Sequence, residues 1–301
     1  MVTLCFGEAV VDLVCRRAVG SLADADAFVP SPGGVAANVA ATAARHGASV
    51  ALAGGAGDDP WGAWLRDRLA AAGVDLRWFA LALGHATAVA FITVDDRGEP
   101  AWQLYGDGMA AVVDALGDRL LDAVDATGAL LLTSNTLAGK AEADLTMAAR
   151  ERALELGRPI VFDPNLRLHR WRGNPGRAGK TAGACVPGAF LVKCNQAEAR
   201  LITGESDPGA AAASLLAAGA QHVIVTLGRG GAILRAKGMR ADVRAQPAKV
   251  LRSTVGAGDV FLGVLIARLG QTDYYPSALA AALPEAAEEA ARACERWGAL
   301  E

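Results

Sequence analysis

The chain has 301 residues, 52% of them hydrophobic and 20% charged, and carries a formal net charge of −3. That balance belongs to a folded globular chain with room for a substantial core and excludes an intrinsically disordered one. The basic residues are scattered rather than gathered into a nucleic-acid footprint, and no run of about eighteen uncharged apolar residues is present to cross a membrane.

In chain order, Leu4–Phe6 reads as a first strand. Met1–Asp12 holds Glu8 within its apolar run and has no basic leader, so no signal peptide is expected and the compartment reads as cytoplasmic. Ala9–Val29 reads as a strand and loop, and Val35–His46 as a helix. Ser49–Ala53 is a strand, Trp61–Ala72 a helix, and Ala86–Tyr105 a hairpin in which AVAFITV and PAWQLY flank the turn DDRGE. Strands at Ala129–Leu132, Pro159–Asp163, Phe190–Lys193 and His222–Thr226 then alternate with helices at Ala141–Leu156, Ala197–Ile202 and Ala210–Ala218. GAILRAKGMRADVRA reads as a second hairpin, and the apolar residues after Asp259 have helical spacing.

Continuous apolar strands alternating with helices predict an α/β fold, a mainly parallel sheet covered on both faces. Residues 9–29 and 86–105 break the alternation and predict a small protruding sheet, a candidate lid. No linker divides the chain, so residues 1–301 are expected to form one domain with the lid inserted in it. The five cysteines, at 5, 15, 185, 194 and 294, form no CxxC pair and read as reduced core thiols. The histidines at 46, 85, 169 and 222 have no zinc-ligand spacing.

Five short motifs carry chemistry, each of which alone could equally be a tight turn or a capped helix start. PGGVAANVAATAARHG places Gly33 and Gly34 before a helix that opens with Asn38, whose amide can both donate to and accept from hydroxyl groups. VFDPNLRLHRW sets Asp163, Asn165 and Arg167 just past a strand, where ligands bind in open α/β sheets. In VKCNQAEARLITG, Lys193, Asn195 and Glu198 follow another strand; Asn195 could reach a phosphate and Glu198 could hold water around Mg²⁺. VTLGRGGA offers Thr226, Gly228 and Gly231 as a phosphate seat. RSTVGAGDVFLG ends in Gly256, Ala257, Gly258 and Asp259, a glycine turn whose helix-start amides suit an anion, next to a carboxylate that suits a base or a metal. GNPGRAGKT imitates a P-loop, but Gly173 stands six positions before Gly179 rather than five and no strand precedes it. All the chemical motifs after the first lie at strand ends, as a single active-site edge requires.

On GGVAANVA, GDDPWGAWLRDRLAAAGV, KCNQAE, TLGRGG and TVGAGDVF, the chain resembles the ribokinase-like PfkB carbohydrate kinases over nearly its whole length. FGEAVVDL, FDPNLR and DDRGEPAWQLYGDGMA look most like the fructokinase and ketodeoxygluconate kinase members. The resemblance implies a ribokinase-like three-layer α/β/α sandwich, a β-lid over a sugar, and ATP with Mg²⁺ as phosphoryl donor. It implies Asp259 as the base for the substrate hydroxyl and the amides of Gly256, Ala257 and Gly258 as the anion hole. By the same resemblance Asp12, Gly33, Gly34, Asn38 and Arg167 would contact the sugar, with Tyr105 joining from the lid. Lys193, Asn195, Thr226, Gly228 and Gly231 would serve the nucleotide, and Glu198 the Mg²⁺ through water. The family usually carries Asp before the Thr of its last motif, where it helps to hold potassium in some relatives; here that position is Ser253, which argues against potassium activation.

The expectation is therefore a sugar kinase, fructose-like in preference, assembled as a homodimer through the lid and binding neither nucleic acid nor membrane. A ketodeoxygluconate kinase, a nucleoside kinase of the same fold and a sugar-binding regulator without turnover are the alternatives. Arg167 suits a sugar acid, whereas no aromatic platform for a base is evident near Asp12.

Overall fold

The apolar runs become the interior strands of a nine-stranded sheet. The structure, a computed structural model, describes residues 1–106, 108–117 and 119–300; Asp107, in the DDRGEPAWQLYGDGMA stretch, lies outside them. In chain order the elements are β1 (Thr3–Phe6), β2 (Val10–Ala18), β3 (Val29–Gly33), α1 (Val35–Arg45), β4 (Val50–Gly57), α2 (Pro60–Ala71), β5 (Phe79–Ala82), β6 (Val89–Val94) and β7 (Pro100–Tyr105). They continue with α3 (Gly108–Leu116), α4 (Arg119–Ala126), β8 (Ala129–Thr133), α5 (Lys140–Glu155), β9 (Ile160–Asp163), α6 (Pro175–Gly183), β10 (Leu191–Asn195), α7 (Gln196–Thr203) and α8 (Pro208–Ala217). The last are β11 (His222–Thr226), β12 (Ala232–Ala236), β13 (Met239–Val243), α9 (Ala257–Gln271) and α10 (Ser277–Ala293).

The large sheet runs β13-β12-β11-β10-β9-β8-β1-β4-β5. Its pairs are parallel from β11 to β5, and only β12 runs against its two neighbours. Alternate residues along a strand serve opposite faces. Thus Cys5 and Leu131 join one core with α1, α9 and α10, while Leu4, Phe6, Leu130 and Leu132 join the other with α3 to α8. Four of the five cysteines are buried in these layers or in the lid; Cys294 is half-buried.

The second sheet, β3-β2-β6-β7, is the lid. The β6–β7 hairpin forms as expected, while Val29–Gly33, read as loop end and turn, is its edge strand β3. β2 pairs with β6 in parallel across a long stretch of chain. The lid has its own small core of Val14, Ala90, Ile92 and Val94, closed by Val255 from the loop before α9. The residues imitating a P-loop instead form α6, capped by Asn174, whose side chain accepts from the Arg177 amide at 2.9 Å.

Candidate active site

The carboxyl ends of β1, β8, β9, β10 and β11 share one edge of the large sheet, and the lid stands over it. Two cavities open there. The first, about 140 Å³, is lined by Glu8, Asp12, Gly34, Asn38, Asn135, Arg167, Gly256 and Asp259, and by Trp102 and Leu104 of the lid. The second, about 620 Å³, is lined by Thr226, Gly228, Gly231, Thr254, Ala257 and Gly258, and by α10 through Ala287, Ala290 and Ala291. The turn that opens α9 separates them: Gly256 and Asp259 face the small cavity, Ala257 and Gly258 the large one.

Gly256 makes that turn possible. Its φ of 73° is left-handed, and a Cβ there would run into Ala299. Behind it the apolar residues of α9 from Val260 to Ala267 are buried, so the turn sits on a fixed base. The Gly258 N–H belongs to the first helical turn, which has no intrahelical acceptor. The Ala257 N–H donates to the Thr254 carbonyl at 3.3 Å, so of the expected trio of amides Ala257 is already engaged.

Asp259 is buried and accepts from Asn38 Nδ2 at 2.8 Å. Burial pushes its pKa up to about 6, against the Asn38 hydrogen bond and the charges of Arg167 and Lys193. Asp12 is pushed up to about 7 by burial and by Asp259, with Arg167 opposing. Gly33 lets that carboxylate approach, since a Cβ would overlap it. Two buried carboxylates thus share one small cavity, both shifted toward neutrality mainly by burial.

Three further strand ends contribute. Lys193 Nζ pairs with Asp163 at 2.9 Å, with both side chains buried. Burial works against the ammonium, but Asp163, Glu198 and Asp259 outweigh it and hold its pKa above the ordinary value. Lys193 Nζ lies where a Cβ on Gly258 would touch it, so a fixed positive charge sits beneath the turn. Asn165, with φ of 38°, bends the chain back as its amide donates to Asp163 at 3.2 Å. Glu198 accepts from the Leu166 and Asn195 amides at 3.0 and 2.8 Å, and Asn195 in turn accepts from the Glu198 amide. That capping box is the first task of both side chains, and burial raises the Glu198 pKa. Thr226 donates to the Cys194 carbonyl at 3.4 Å.

Tyr105 needs correction. Along β7, Trp102 and Leu104 face the cavity, whereas Tyr105 points to the opposite face and meets Phe91 edge-on at 5.6 Å. The period of two in a strand assigns these neighbours to different sides. Trp102 also supplies the aromatic surface not evident from sequence, with the Arg167 guanidinium 5.0 Å from its ring centre. Glu8 and Asn135 are the residues that sequence reading missed. Glu8 Oε1 accepts from the Val35 amide at 3.1 Å and from Asn135 Nδ2 at 2.8 Å. Glu8 Oε2, Asn38 Oδ1 and Asn135 Oδ1 are buried without a partner among the described residues. Both residues lie two positions past a strand, close to the signal that singled out Asp163 and Lys193.

The profile of the pfkB family of carbohydrate kinases matches residues 3–296. Fructokinase-1 of Oryza sativa subsp. japonica is 32% identical over 267 residues, 88% of this chain and 82% of the relative. The structure of the Vibrio cholerae O395 fructokinase in its fructose-, ADP- and calcium-bound form superposes with a TM-score of 0.85 at 27% identity, covering 99% of this chain and 94% of that one. A PfkB protein from Polaromonas sp. JS666 gives 0.82 at 29% identity, covering 97% and 95%.

Proposed function

The chain belongs to the pfkB family of carbohydrate kinases, a phosphotransferase with a hydroxyl acceptor, and on that premise we propose that it transfers the γ-phosphoryl group of ATP to a hydroxyl of a neutral, fructose-like sugar. The observation that carries this reading is the turn Gly256–Asp259, which puts a buried carboxylate in the small cavity and Gly258, with its helix-start amide, on the large one. A monosaccharide suits the first and a nucleotide the second.

In this reading Asp259 accepts the proton of the attacking hydroxyl as its oxygen bonds to the γ-phosphorus. The bond from phosphorus to the β,γ-bridging oxygen breaks, and ADP leaves with that electron pair. Asn38 orients Asp259, and the Gly256 and Gly258 amides with Lys193 beneath them meet the charge on the transferring group, the largest contribution in reactions of this type. Thr226, Gly228 and Gly231 serve the nucleotide, with Asn195 near its phosphates. Glu198, a buried carboxylate whose two oxygens already accept backbone amides, would reach a Mg²⁺ ion on those phosphates only through water, and the ion would neutralise phosphate charge.

The neutral sugar is favoured by the three buried acceptors Glu8 Oε2, Asn38 Oδ1 and Asn135 Oδ1, which call for hydroxyl donors. Arg167, with His169 and Arg170 on the same wall, keeps ketodeoxygluconate as the second reading, since a guanidinium grips a carboxylate well. Trp102 gives a nucleoside base a surface, but the acceptor-rich floor beneath it suits a polyol better. We read residues 1–301 as one domain, cytoplasmic, and dimeric through the outer lid face, where Phe28, Phe91 and Tyr105 stack edge-on at 5.0 and 5.6 Å. Among the described residues no helix is long and apolar enough to cross a membrane.

Release of ADP with ATP and a panel of hexoses, pentoses, sugar acids and nucleosides tests the proposal. Fructose as the best substrate supports it. Sugar binding without turnover under any donor would favour the regulator instead.

A further inference from the structure

The loop that leads into α9, residues 249–256, has no strand or helix of its own, so its shape is set from outside. On one side Thr254 and Val255 meet the lid. On the other side the contacts come from the segment just past α10. The Cys294 carbonyl accepts from the Arg252 amide at 2.9 Å and from the Ser253 amide at 3.3 Å. Glu295 Oε1 accepts from the Lys249 amide at 2.7 Å, and the Arg252 guanidinium lies 5.8 Å from the Trp297 ring centre. Ala299 stands directly against Gly256, where an added Cβ would overlap the Ala299 methyl and lie 2.9 Å from its Cα. Ala299 is itself 2% exposed, and Leu300 beside it is buried, its carbonyl accepting from Arg45 of α1 at 3.3 Å. Among the described residues that line the two cavities, none comes from 295–300, so these residues act on a ligand only through the loop.

We propose that Ala299 is a positioning residue: its methyl group backs Gly256 and fixes where the amides of the turn point, without touching sugar or nucleotide. This rests on reading the Gly256–Asp259 turn as the seat of the transferring phosphoryl group. With φ of 73° and no side chain, Gly256 is held in place by what packs against its Cα, and Ala299 fills that space. Preorganised amides stabilise a transition state only when aimed at where charge develops, and a misplacement of about 1 Å can cost about a hundredfold in rate. Removing the methyl lets the turn settle towards the vacated space; enlarging it pushes the turn away. Either change acts on the chemical step. Ground-state affinity for sugar and nucleotide, which rests on the other strand ends, stays.

The test compares the intact wild-type enzyme with Ala299→Gly, Ala299→Val and Ala299→Ser, on fructose or whichever sugar the ADP-release panel shows to be phosphorylated. Thermal unfolding establishes that each variant is folded at the assay temperature, and Ala299→Gly decides alone if Ala299→Val does not fold. The kcat is expected to fall at least about tenfold in Ala299→Val and at least about fivefold in Ala299→Gly, with sugar KM and Mg·ADP Kd within about twofold of wild type. Ala299→Ser, close to alanine in size, should keep kcat within about twofold. Affinity for Mg·ADP with aluminium fluoride, which imitates the transferring phosphoryl group, should fall in step with kcat, a signature that lost stability alone does not produce. A kcat within about twofold of wild type in the folded Gly and Val variants overturns the inference, as does an equal loss of Mg·ADP affinity with and without the fluoride. If wild type phosphorylates no sugar on the panel, the proposed function falls and the positioning role with it; an active wild type with unaffected variants removes only the role of Ala299.

Discussion

Asn38 and Asp259, 221 positions apart in sequence, are joined by a hydrogen bond of 2.8 Å between two buried side chains. The bond links the start of α1 to the start of α9 and leaves Asn38 Oδ1 free for a ligand hydroxyl. Asn38→Ala should remove the orienting bond and one sugar contact together. A hydrogen bond to a charged group is worth about 1.5–3 kcal/mol, so kcat/KM for the sugar should fall roughly tenfold to a hundredfold while KM for ATP changes little. An unchanged kcat/KM in steady-state assays would remove Asn38 from the site.

The pH profile follows from the same carboxylate. As a base, Asp259 must be ionised, and burial has raised its pKa to about 6. The kcat/KM for the sugar should therefore climb through that value and level off above it. A profile flat from about pH 5 to about pH 8 would contradict the assignment.

Asp12 should show the cost of being a binding group. Its folded-state pKa is raised to about 7, so between its ordinary value and about 7 the folded chain holds more protons than the unfolded one, and its stability falls as pH rises. Asp12→Asn removes that penalty. Thermal unfolding without ligand should rise by roughly 2–6 °C at about pH 8 and by much less at about pH 3.5, where both states are mostly protonated, while sugar affinity drops. A variant no more stable than wild type at the higher pH would refute the shift.

Ser253 bears on monovalent cations. It is fully buried, its Oγ accepts from the Val255 amide at 3.0 Å, and its amide donates to the Cys294 carbonyl at 3.3 Å. A neutral side chain at this position offers a cation no charge, so replacing a large inert cation by potassium at fixed ionic strength should change the rate less than about twofold. A many-fold rise would show a site that does not need the carboxylate.

Arg167 decides between sugar classes. If the substrate is neutral, Arg167→Lys disturbs its stacking on Trp102 and its field at Asp12 and Asp259, with no selective loss on acids. If it grips a carboxylate, KM for ketodeoxygluconate should rise roughly tenfold to a hundredfold. Kinetics on fructose and ketodeoxygluconate for both enzymes separate the cases. Robust wild-type turnover of the acid with none of any neutral hexose would reverse the preference.

Strand ends were the legible part of the site, because a continuous apolar run that stops at Asp163, Lys193 or Thr226 marks both the strand and its outlet. Glu8 and Asn135 obey the same rule, but each lies two residues beyond its strand, β1 or β8, outside the glycine pairs and polar clusters that mark the other motifs. Tyr105 shows where sequence reading stops: the hairpin was plain, yet which face of β7 meets the cavity depends on the non-local pairing of β2 with β6. Helix α10 carries Pro284 in its interior, where the ring removes a ladder donor and works against helix. The edge strand β3 includes Pro30 and Pro32, which fit a strand only where no ladder donor is needed.

The central claim is that Asp259 is the base, and Asp259→Asn tests it most directly because the amide keeps the size and much of the hydrogen bonding of the carboxylate. ADP release with fructose and ATP should fall by roughly 10²–10⁴-fold in kcat, while fructose binding measured by titration stays within about tenfold of wild type. Near-normal kcat in this variant, with the sugar still bound, would contradict the account.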